Sequence, residues 1–334
     1  MFSSFSQLLT RESGEIEVLS LEQVNLPNLS VADLWDSNGS IICSESNIQE
    51  NPKICSNEDD GAIIVWRDRR DEPSGGDIYA QRFHKDGDRQ WTANGTAVCT
   101  AINLQSKPEI CSDGLGGAFI TWVDERKGDP KIYIQRVTEL AFKPFGENGT
   151  EIEPLGVVQS EAKICSDGVN GAFIVWVDDK NGNDDIFAQR IDKNGTLLWL
   201  NEIEVCNESG NQNDLQIIND GQGGLIITWE DSSDIYAQKL DSNGIPLWAP
   251  NGVLVSNEER QQLEPQLCND GLGGVIITWY DWRDGFANSD IYAQRINSGG
   301  TVLWNANGSI VNVKNNRQRK CKICSDGNGG AIVT

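Results

Sequence analysis

The sequence predicts an all-β fold assembled from copies of one four-stranded antiparallel unit, and three observations carry that prediction. The first is a recurring phrase: Asp77-Ile-Tyr-Ala-Gln-Arg82, Asp185-Ile-Phe-Ala-Gln-Arg190, Asp234-Ile-Tyr-Ala-Gln-Lys239 and Asp290-Ile-Tyr-Ala-Gln-Arg295, with a fainter copy at Lys131-Ile-Tyr-Ile-Gln-Arg136. The second is an anchoring tryptophan upstream of each copy, at Trp66, Trp122, Trp176, Trp229 and Trp279, with spacings of 56, 54, 53 and 50 residues. A period of about 50 residues is in the range of propeller blades, not of leucine-rich or ankyrin units. The third is the pattern just before each tryptophan. Ala62-Ile-Ile-Val-Trp66 and Leu225-Ile-Ile-Thr-Trp229 are apolar without alternation. A strand with one wet face alternates, whereas one covered on both faces, as in stacked blades, does not. Together these predict a β-propeller.

Each unit reads as four short strands. The first is the Pro52–Ser56 type. A segment such as Asp113-Gly-Leu-Gly-Gly117 then turns the chain, its glycines being free to take positive φ. The apolar run ending in tryptophan is the second strand, and the Ile-Tyr-Ala-Gln-Arg phrase is the third. After a turn such as Asp192-Lys-Asn-Gly195, Leu197-Leu-Trp199 reads as the fourth, followed by Asn-Gly and a short apolar segment. The units span about residues 52–99, 108–158, 163–206, 214–255 and 265–311. Residues 33–43 match the end of a unit and residues 320–334 match the beginning of one, so a composite blade stitched from both ends is expected. That makes six blades as given within a propeller of residues 33–334, or seven or eight if the chain is a fragment. Closing a ring in this way removes exposed sheet edges. Residues 1–32 form a non-repeat segment able to supply the composite blade's third strand.

Charge and cysteine content narrow the function classes. The chain has 27 basic and 50 acidic residues, a net charge of −23, which argues against nucleic acid and anionic membranes as partners. No apolar stretch reaches the roughly 20 residues of a membrane-spanning helix, so no membrane insertion is expected. Met1 to Ser20 shows no signal-peptide core. Eight of the nine cysteines occupy two repeat positions: Cys55, Cys111, Cys165, Cys268 and Cys324 in first strands, and Cys43, Cys99 and Cys206 after an Asn-Gly or its remnant. They read as small buried hydrophobes, not a disulfide framework. Cys321-x-x-Cys324 is expected on one strand, where residues three apart face opposite ways and cannot easily share a metal.

The pattern Ser-Asp-Gly-x-Gly-Gly-Ala-x-x-x-Trp-x-Asp-x-Arg, then Asp-Ile-Tyr-Ala-Gln-Arg, then Gly-x-x-x-Trp, resembles the repeats of large microbial propeller-like proteins. The resemblance covers residues 33–334. It implies an extracellular or cell-surface location and brings no catalytic residues. This chain departs from that family in lacking a visible signal peptide.

An aspartate stands two residues past each anchoring tryptophan: Asp68, Asp124, Asp178, Asp231 and Asp281. Arg82, Arg136, Arg190, Lys239 and Arg295 close the third strands. Their recurrence in every unit points to one structural Asp–Arg pair per blade. Buried pairs of this kind fix geometry more than they add stability. The Asp-Gly-x-Gly-Gly turns lack the following helix of a nucleotide-binding loop. The loop Asp178 to Asp185 has the oxygens for a weak calcium site, the one cofactor the sequence suggests, though no EF-hand pattern is present. Asn-Gly-Thr/Ser at Asn38, Asn94, Asn148, Asn194 and Asn307 reads as turns, not as glycan acceptors. A sialidase-like site is disfavoured, because Tyr79, Tyr133, Tyr236 and Tyr292 are repeat residues and the Ser-x-Asp-x-Gly-x-x-Trp turn is absent.

Function is expected where the symmetry breaks. The clearest break is the loop expected after Trp279, where Tyr280, Trp282 and Phe286 stand beside Arg283. Such aromatics with a base suit a carbohydrate or peptide face. A second break runs from Val137 to Gln159, which lacks the fourth-strand tryptophan and reads as a degenerate blade. The expected protein is a monomeric, noncatalytic scaffold or binding module for carbohydrate or protein. The alternative is a glycan-processing enzyme of propeller type, which would need convergent acids and bases with a perturbed carboxylate pair.

Overall fold

The structure, a computed structural model, describes residues 7–10, 16–19, 39–71, 75–152, 158–285, 288–313 and 317–334. Among these residues it is all-β, built of repeated antiparallel sheets without a helix. No helix is long and apolar enough to cross a membrane among the described residues. The chain divides into two compact bodies, residues 1–154 and 155–334.

In the N-terminal body the first blade is Gln49–Ser56, Ala62–Asp68, Asp77–Phe83 and Thr96–Cys99, paired in chain order. The second is Gln105–Ser112, Ala118–Asp124, Lys131–Val137 and Thr150–Glu151. A three-stranded sheet, Gln7–Thr10, Ile16–Leu19 and Ser40–Cys43, precedes them. Ile16–Leu19 meets Ser40–Cys43 with a one-residue register shift, Ile16 opposite Cys43 and Glu17 opposite Ile41. The third and fourth strands of the first blade pair the same way, Ile78 opposite Cys99 and Tyr79 opposite Ala97. The segment without repeat signal therefore carries a third-strand equivalent.

In the C-terminal body the third blade is Gln159–Ser166, Ala172–Asp178, Asp185–Ile191 and Ile203–Cys206. The fourth is Gln212–Asn219, Leu225–Asp231, Asp234–Leu240 and Val253–Ser256. The fifth is Gln262–Asn269, Val275–Asp281, Asp290–Ile296 and Ser309–Asn312. Ile323–Ser325 and Ala331–Val333 form a two-stranded sheet.

The recurring phrase has a physical basis at each position. Its aromatic residue lies directly across the ladder from the anchoring tryptophan, and the five ring pairs sit 6.1 to 6.4 Å apart. All five tryptophans are fully buried. The glutamine clamps the connection to the fourth strand. The Gln81 side chain donates to the Thr92 carbonyl at 2.7 Å and accepts from the Trp91 amide at 3.0 Å. Gln238 and Gln294 repeat this on Ala249 with Trp248 and on Asn305 with Trp304.

This clamp corrects the expected fourth strand. The Leu197–Trp199 segment makes only an isolated bridge, Leu197 to Ile191, because Gln189 takes the Trp199 amide and carbonyl. The paired strand is the short apolar segment that follows, Ile203–Cys206. First strands also begin earlier than expected, at Gln49 rather than Pro52 in the first blade. The second blade is not degenerate. Phe145 stands where the others place tryptophan, its amide bonded to Gln135 Oε1 at 3.0 Å.

All nine cysteines are free thiols. Cys321 lies just before the strand Ile323–Ser325 rather than on it, buried against Tyr280, Trp282 and Ile291. Burial pushes the Cys99 and Cys206 thiols up to about 12. Since the thiolate is the reactive form, iodoacetamide should label these two residues far more slowly in the native protein than in urea. Rapid native labelling at Cys99 or Cys206, mapped by peptide mass spectrometry, would show that their sheets open.

Candidate functional site

The recurring charges form two kinds of network rather than the single pair expected. In the first, Asp124 accepts from the Trp122 indole at 2.8 Å and from Arg126 Nη2 at 2.5 Å, while Arg126 lies 4.0 Å over the Tyr133 ring. Asp68 with Arg70 and Asp281 with Arg283 repeat it, each pair at 2.6 Å. Burial alone would raise the Asp68 carboxyl, but hydrogen bonds from Arg70 and Trp66 outweigh it and hold it below its ordinary value. In the third blade Lys180 pairs with Glu202 instead of Asp178. In the fourth, Asp231 accepts from Gln212 and Ser232.

The second network joins the third-strand base to the aspartate of the Asp-Gly turn, which sequence reasoning read only as turn chemistry. Arg136 bonds Asp113 at 2.8 Å, Arg190 bonds Asp167 at 2.7 Å, Lys239 bonds Asp220 at 2.9 Å and Arg295 bonds Asp270 at 2.9 Å. Asp113 Oδ1 also accepts the Leu115 and Gly117 amides at 2.8 Å. In the first blade Asn57 takes the turn position, and Arg82 turns to Asp59 and the Gly116 carbonyl. These charges are scaffold.

The expected aromatic loop is also corrected. Tyr280 lies within the second strand of the fifth blade, and Trp282 follows directly after that strand. They are 6% and 5% exposed and pack edge to face, with centroids 6.3 Å apart. Strand alternation sends Tyr280 to the face opposite Trp279, where Leu263, Ile291, Cys321 and Val333 cover the pair. Arg283 is the blade's ordinary partner of Asp281 and stacks on Tyr292 at 3.7 Å. Phe286 lies outside the described residues. The two rings are packing residues.

In the loop proposed for calcium, Asp185 accepts from the Asn181 and Asn183 carboxamides at 2.7 and 2.6 Å, and Asp178 accepts from the Lys180 amide at 3.0 Å. A calcium ion there would have to displace these donors. Among the Asn-Gly positions, the Asn94 carboxamide accepts from the Ser44 amide at 3.1 Å and that of Asn148 from the Thr100 amide at 2.9 Å, docking each onto the preceding sheet.

A different position breaks the symmetry in chemistry while keeping it in geometry. Every first strand carries a bulge, marked by a register shift between Glu50 and Lys53, Ser106 and Glu109, Ser160 and Lys163, Asn213 and Gln216, and Leu263 and Gln266. At each bulge a residue other than glycine takes positive φ: Asn51 at 55°, Lys107 at 51°, Glu161 at 51°, Asp214 at 52° and Glu264 at 51°. Such backbone is uncommon and locally strained, and bulges re-aim side chains next to functional sites. The backbone repeats; the residue does not.

In the C-terminal body the bulges bring acids together, because the first strands of successive blades pack side by side. Glu161 reaches across to the fourth blade, accepting from the Leu215 amide at 3.1 Å. Glu230 stands one residue past Trp229, as Tyr280 does past Trp279, so both leave their sheets on the face opposite the tryptophan. Burial, then the Asp214 charge and the hydrogen bond shared with Asp214, then Glu161 and Glu264, push the Glu230 carboxyl up to about 8. Burial raises Glu161 too, with Asp214 adding to it and Lys163 opposing. The Tyr280 phenol is pushed up to about 12 by burial, then by the charge of Glu264, with Arg319 opposing and Glu230 and Asp214 adding. Glu161, Asp214, Glu230, Glu264 and Tyr280 are thus one electrostatic unit.

The two most evident surface hollows lie elsewhere. One, about 580 Å³, is lined by Arg190, Trp199, Glu202 and Ser242. The other, about 360 Å³, is lined by Arg82, Trp91 and Glu139. Both sit beside the third-strand base and fourth-segment tryptophan of their blades, so they follow from the repeat.

No protein-family model and no curated protein matches the chain. Among solved structures it is similar to a polysaccharide lyase, an ulvan lyase of a new family, at 9% identity and TM-score 0.51, covering 82% of this chain and 72% of that one. The fold is a β-propeller. The chain is also similar to the endo-arabinase of Bacteroides thetaiotaomicron (12% identity, TM-score 0.42, covering 79% and 97%) and to a subtype N11 neuraminidase-like protein (10% identity, TM-score 0.49, covering 83% and 78%).

Proposed function

We propose that the chain is a noncatalytic glycan-binding propeller module whose ligand meets the carboxylate site at the first-strand bulges. One observation carries this reading. Acids from three blades act on Glu230 where first strands pack side by side and the backbone repeats but the side chains do not. Carboxylates are effective partners for sugar hydroxyls, and although the bulge recurs in every blade, only the third, fourth and fifth place an acid there. The polysaccharide lyase with the same fold raises carbohydrate above other ligands by analogy alone. Titration of the purified protein against neutral, amino and acidic oligosaccharides should show binding to at least one class. Asp214→Asn should weaken it at least tenfold with an unchanged unfolding midpoint. Retained affinity in that variant would remove the site from the reading.

One observation favours a second reading, that of a glycan-processing enzyme. Burial, then the neighbouring Asp214 charge, raise the Glu230 carboxyl to about 8. A carboxyl raised in this way suits the general acid of acid-assisted glycoside cleavage. Release of reducing ends from an oligosaccharide, abolished by Glu230→Gln, would replace the binding reading with this one.

A further inference from the structure

The network of tryptophan, aspartate and arginine is complete in three blades, with the same geometry each time. One aspartate oxygen, Oδ2, accepts both the indole N–H and arginine Nη2: at 2.8 and 2.6 Å on Asp68, 2.8 and 2.5 Å on Asp124, and 3.1 and 2.6 Å on Asp281. The guanidinium also donates to the carbonyl of Asn94, Asn148 or Asn307 at 2.7 to 2.9 Å and lies 3.7 to 4.0 Å over the tyrosine ring. The fourth blade keeps this seat but has Ser233 in place of the arginine. In the second blade residues 125–130 join the second and third strands, whereas in the fourth only Ser232 and Ser233 do, at φ of 55° and 89°. A two-residue turn of this kind needs positive φ at both places and favours Asn and Gly there, so the serines hold it under strain. The short turn uncovers the seat. Asp231 and Tyr236 are half-buried, whereas Asp68, Asp124, Asp281, Tyr79, Tyr133 and Tyr292 are buried.

A second observation is independent of the turn. Trp229 is fully buried, yet its indole N–H has no partner among the described residues. A buried donor without a partner is costly. Asp231 accepts instead from Gln212 Nε2 at 3.2 Å and from Ser232 Oγ at 3.0 Å, and no cation pairs with it among the described residues. The Tyr236 ring keeps its place, 6.1 Å from Trp229. In the third blade the Trp176 indole is unpaired too, but Lys180 Nζ still lies 3.5 Å over the Phe187 ring. Of the five whole blades, the fourth thus offers the aromatic face and the carboxylate without a cation between them. A second acid stands ready. Asn251 donates to Glu208 at 2.7 Å as Asn307 does to Glu258 at 3.1 Å, and Glu258 lies 3.5 Å from Arg283 Nη1.

We propose that the fourth blade binds a guanidinium group from outside the blade, carried by an arginine of a peptide or by a free guanidino compound, on Asp231, Glu208, the Asn251 carbonyl and the Tyr236 face. The inference is independent of the glycan reading and uses none of the bulge acids. A guanidinium is planar, presents a fork of donors to a carboxylate and stacks on an aromatic face, which an ammonium does not match. Its arrival draws Asp231 Oδ2 toward the indole, so the Trp229 N–H gains the hydrogen bond that Trp66, Trp122 and Trp279 have. The net charge of −23 adds long-range attraction.

The test is titration of the whole chain with methylguanidinium, methylammonium and the neutral isostere methylurea, followed through the indole N–H resonances of isotope-labelled protein. The Trp229 resonance is assigned by its loss in Trp229→Phe. Methylguanidinium should bind at least tenfold more tightly than the other two and move the Trp229 resonance downfield, the direction of a gained hydrogen bond. Asp231→Asn should weaken binding at least tenfold. Glu208→Gln, at an exposed residue, should weaken it several-fold without moving the unfolding midpoint, so the inference stays testable if Asp231→Asn misfolds. Two more probes separate the sources: tighter binding of an end-blocked tripeptide with a central arginine than of free arginine assigns the seat to a peptide, and the reverse order assigns it to a free compound. Methylurea or methylammonium binding as tightly as methylguanidinium would overturn the guanidinium inference. Binding that leaves the Trp229 resonance in place, or that is unchanged in both variants, would show unspecific attraction to an acidic chain and overturn the site.

Discussion

Replacing Asp124 with alanine is expected to cost about 3–5 kcal/mol of unfolding free energy, the loss typical of removing one partner from a buried ion pair. The Asp124 side chain is fully buried and accepts five hydrogen bonds: from the Trp122 indole, from the backbone, Nε and Nη2 of Arg126, and from the Cys99 thiol at 3.7 Å. Truncation leaves the Trp122 N–H unpaired in a dry core. Arg126 keeps only the Asn148 carbonyl at 2.9 Å, the Cys99 sulphur and the Tyr133 face. The third blade supplies an internal control. Asp178 is equally buried but accepts only from the Lys180 amide and the Gln159 carboxamide, and the Trp176 indole is already unpaired. Asp178→Ala should therefore cost about 1–3 kcal/mol, the range for unmet buried hydrogen bonds. Urea denaturation of the two variants measures the difference. Equal losses would mean that Arg126 contributes nothing beyond what Lys180 does.

The blades were legible because their signals are local and repeated. An apolar run ending in tryptophan, an Asp-Gly turn and a phrase with tyrosine, glutamine and arginine each do the same physical job every time. The fourth strand was not legible, because Leu197-Leu-Trp199 is more apolar than Ile203–Cys206 and nothing local shows that the Gln189 side chain claims the tryptophan's backbone. The Asp113–Arg136 pairing was hidden by reading the aspartate as a turn former, which it also is. The proposed carboxylate site was hardest to see. Glu161, Asp214 and Glu264 carry no motif, and a bulge at a residue other than glycine leaves only a one-residue slip in the strand pattern. They meet through packing of first strands about fifty residues apart, which no local window contains. Tyr280 was expected in a loop, but it lies within a strand, and alternation buries its ring.

Gly252→Ala should be nearly as damaging as loss of Asp124, at about 3–5 kcal/mol, from left-handed backbone strain plus overpacking. Gly252 has φ of +95°, and an added Cβ would lie 2.5 Å from Trp229 Cη2, 2.9 Å from Cζ2 and 3.0 Å from the Ala237 carbonyl oxygen. Trp229 is fully buried and stacked on Tyr236 at 6.1 Å, so the indole has nowhere to retreat. Gly182 separates the two terms. Its φ of +98° is almost the same, but nothing lies within 4 Å of an added Cβ. Gly182→Ala should therefore show the backbone term alone, about 1–2 kcal/mol. If the two variants lose the same stability in urea, the tryptophan contact carries no energy and the glycine serves the turn only. The same approach recurs at Gly95 against Trp66, Gly149 against Trp122 and Gly308 against Trp279, at 2.4 to 2.6 Å. The third blade places Glu202 at this point of the repeat and pairs it with Lys180, whose place in the first, second and fifth blades is taken by the arginine bound to the aspartate. The recurring Asn-Gly is thus more than a turn signal. Its asparagine docks onto the preceding sheet, and its glycine makes room for the blade's central tryptophan.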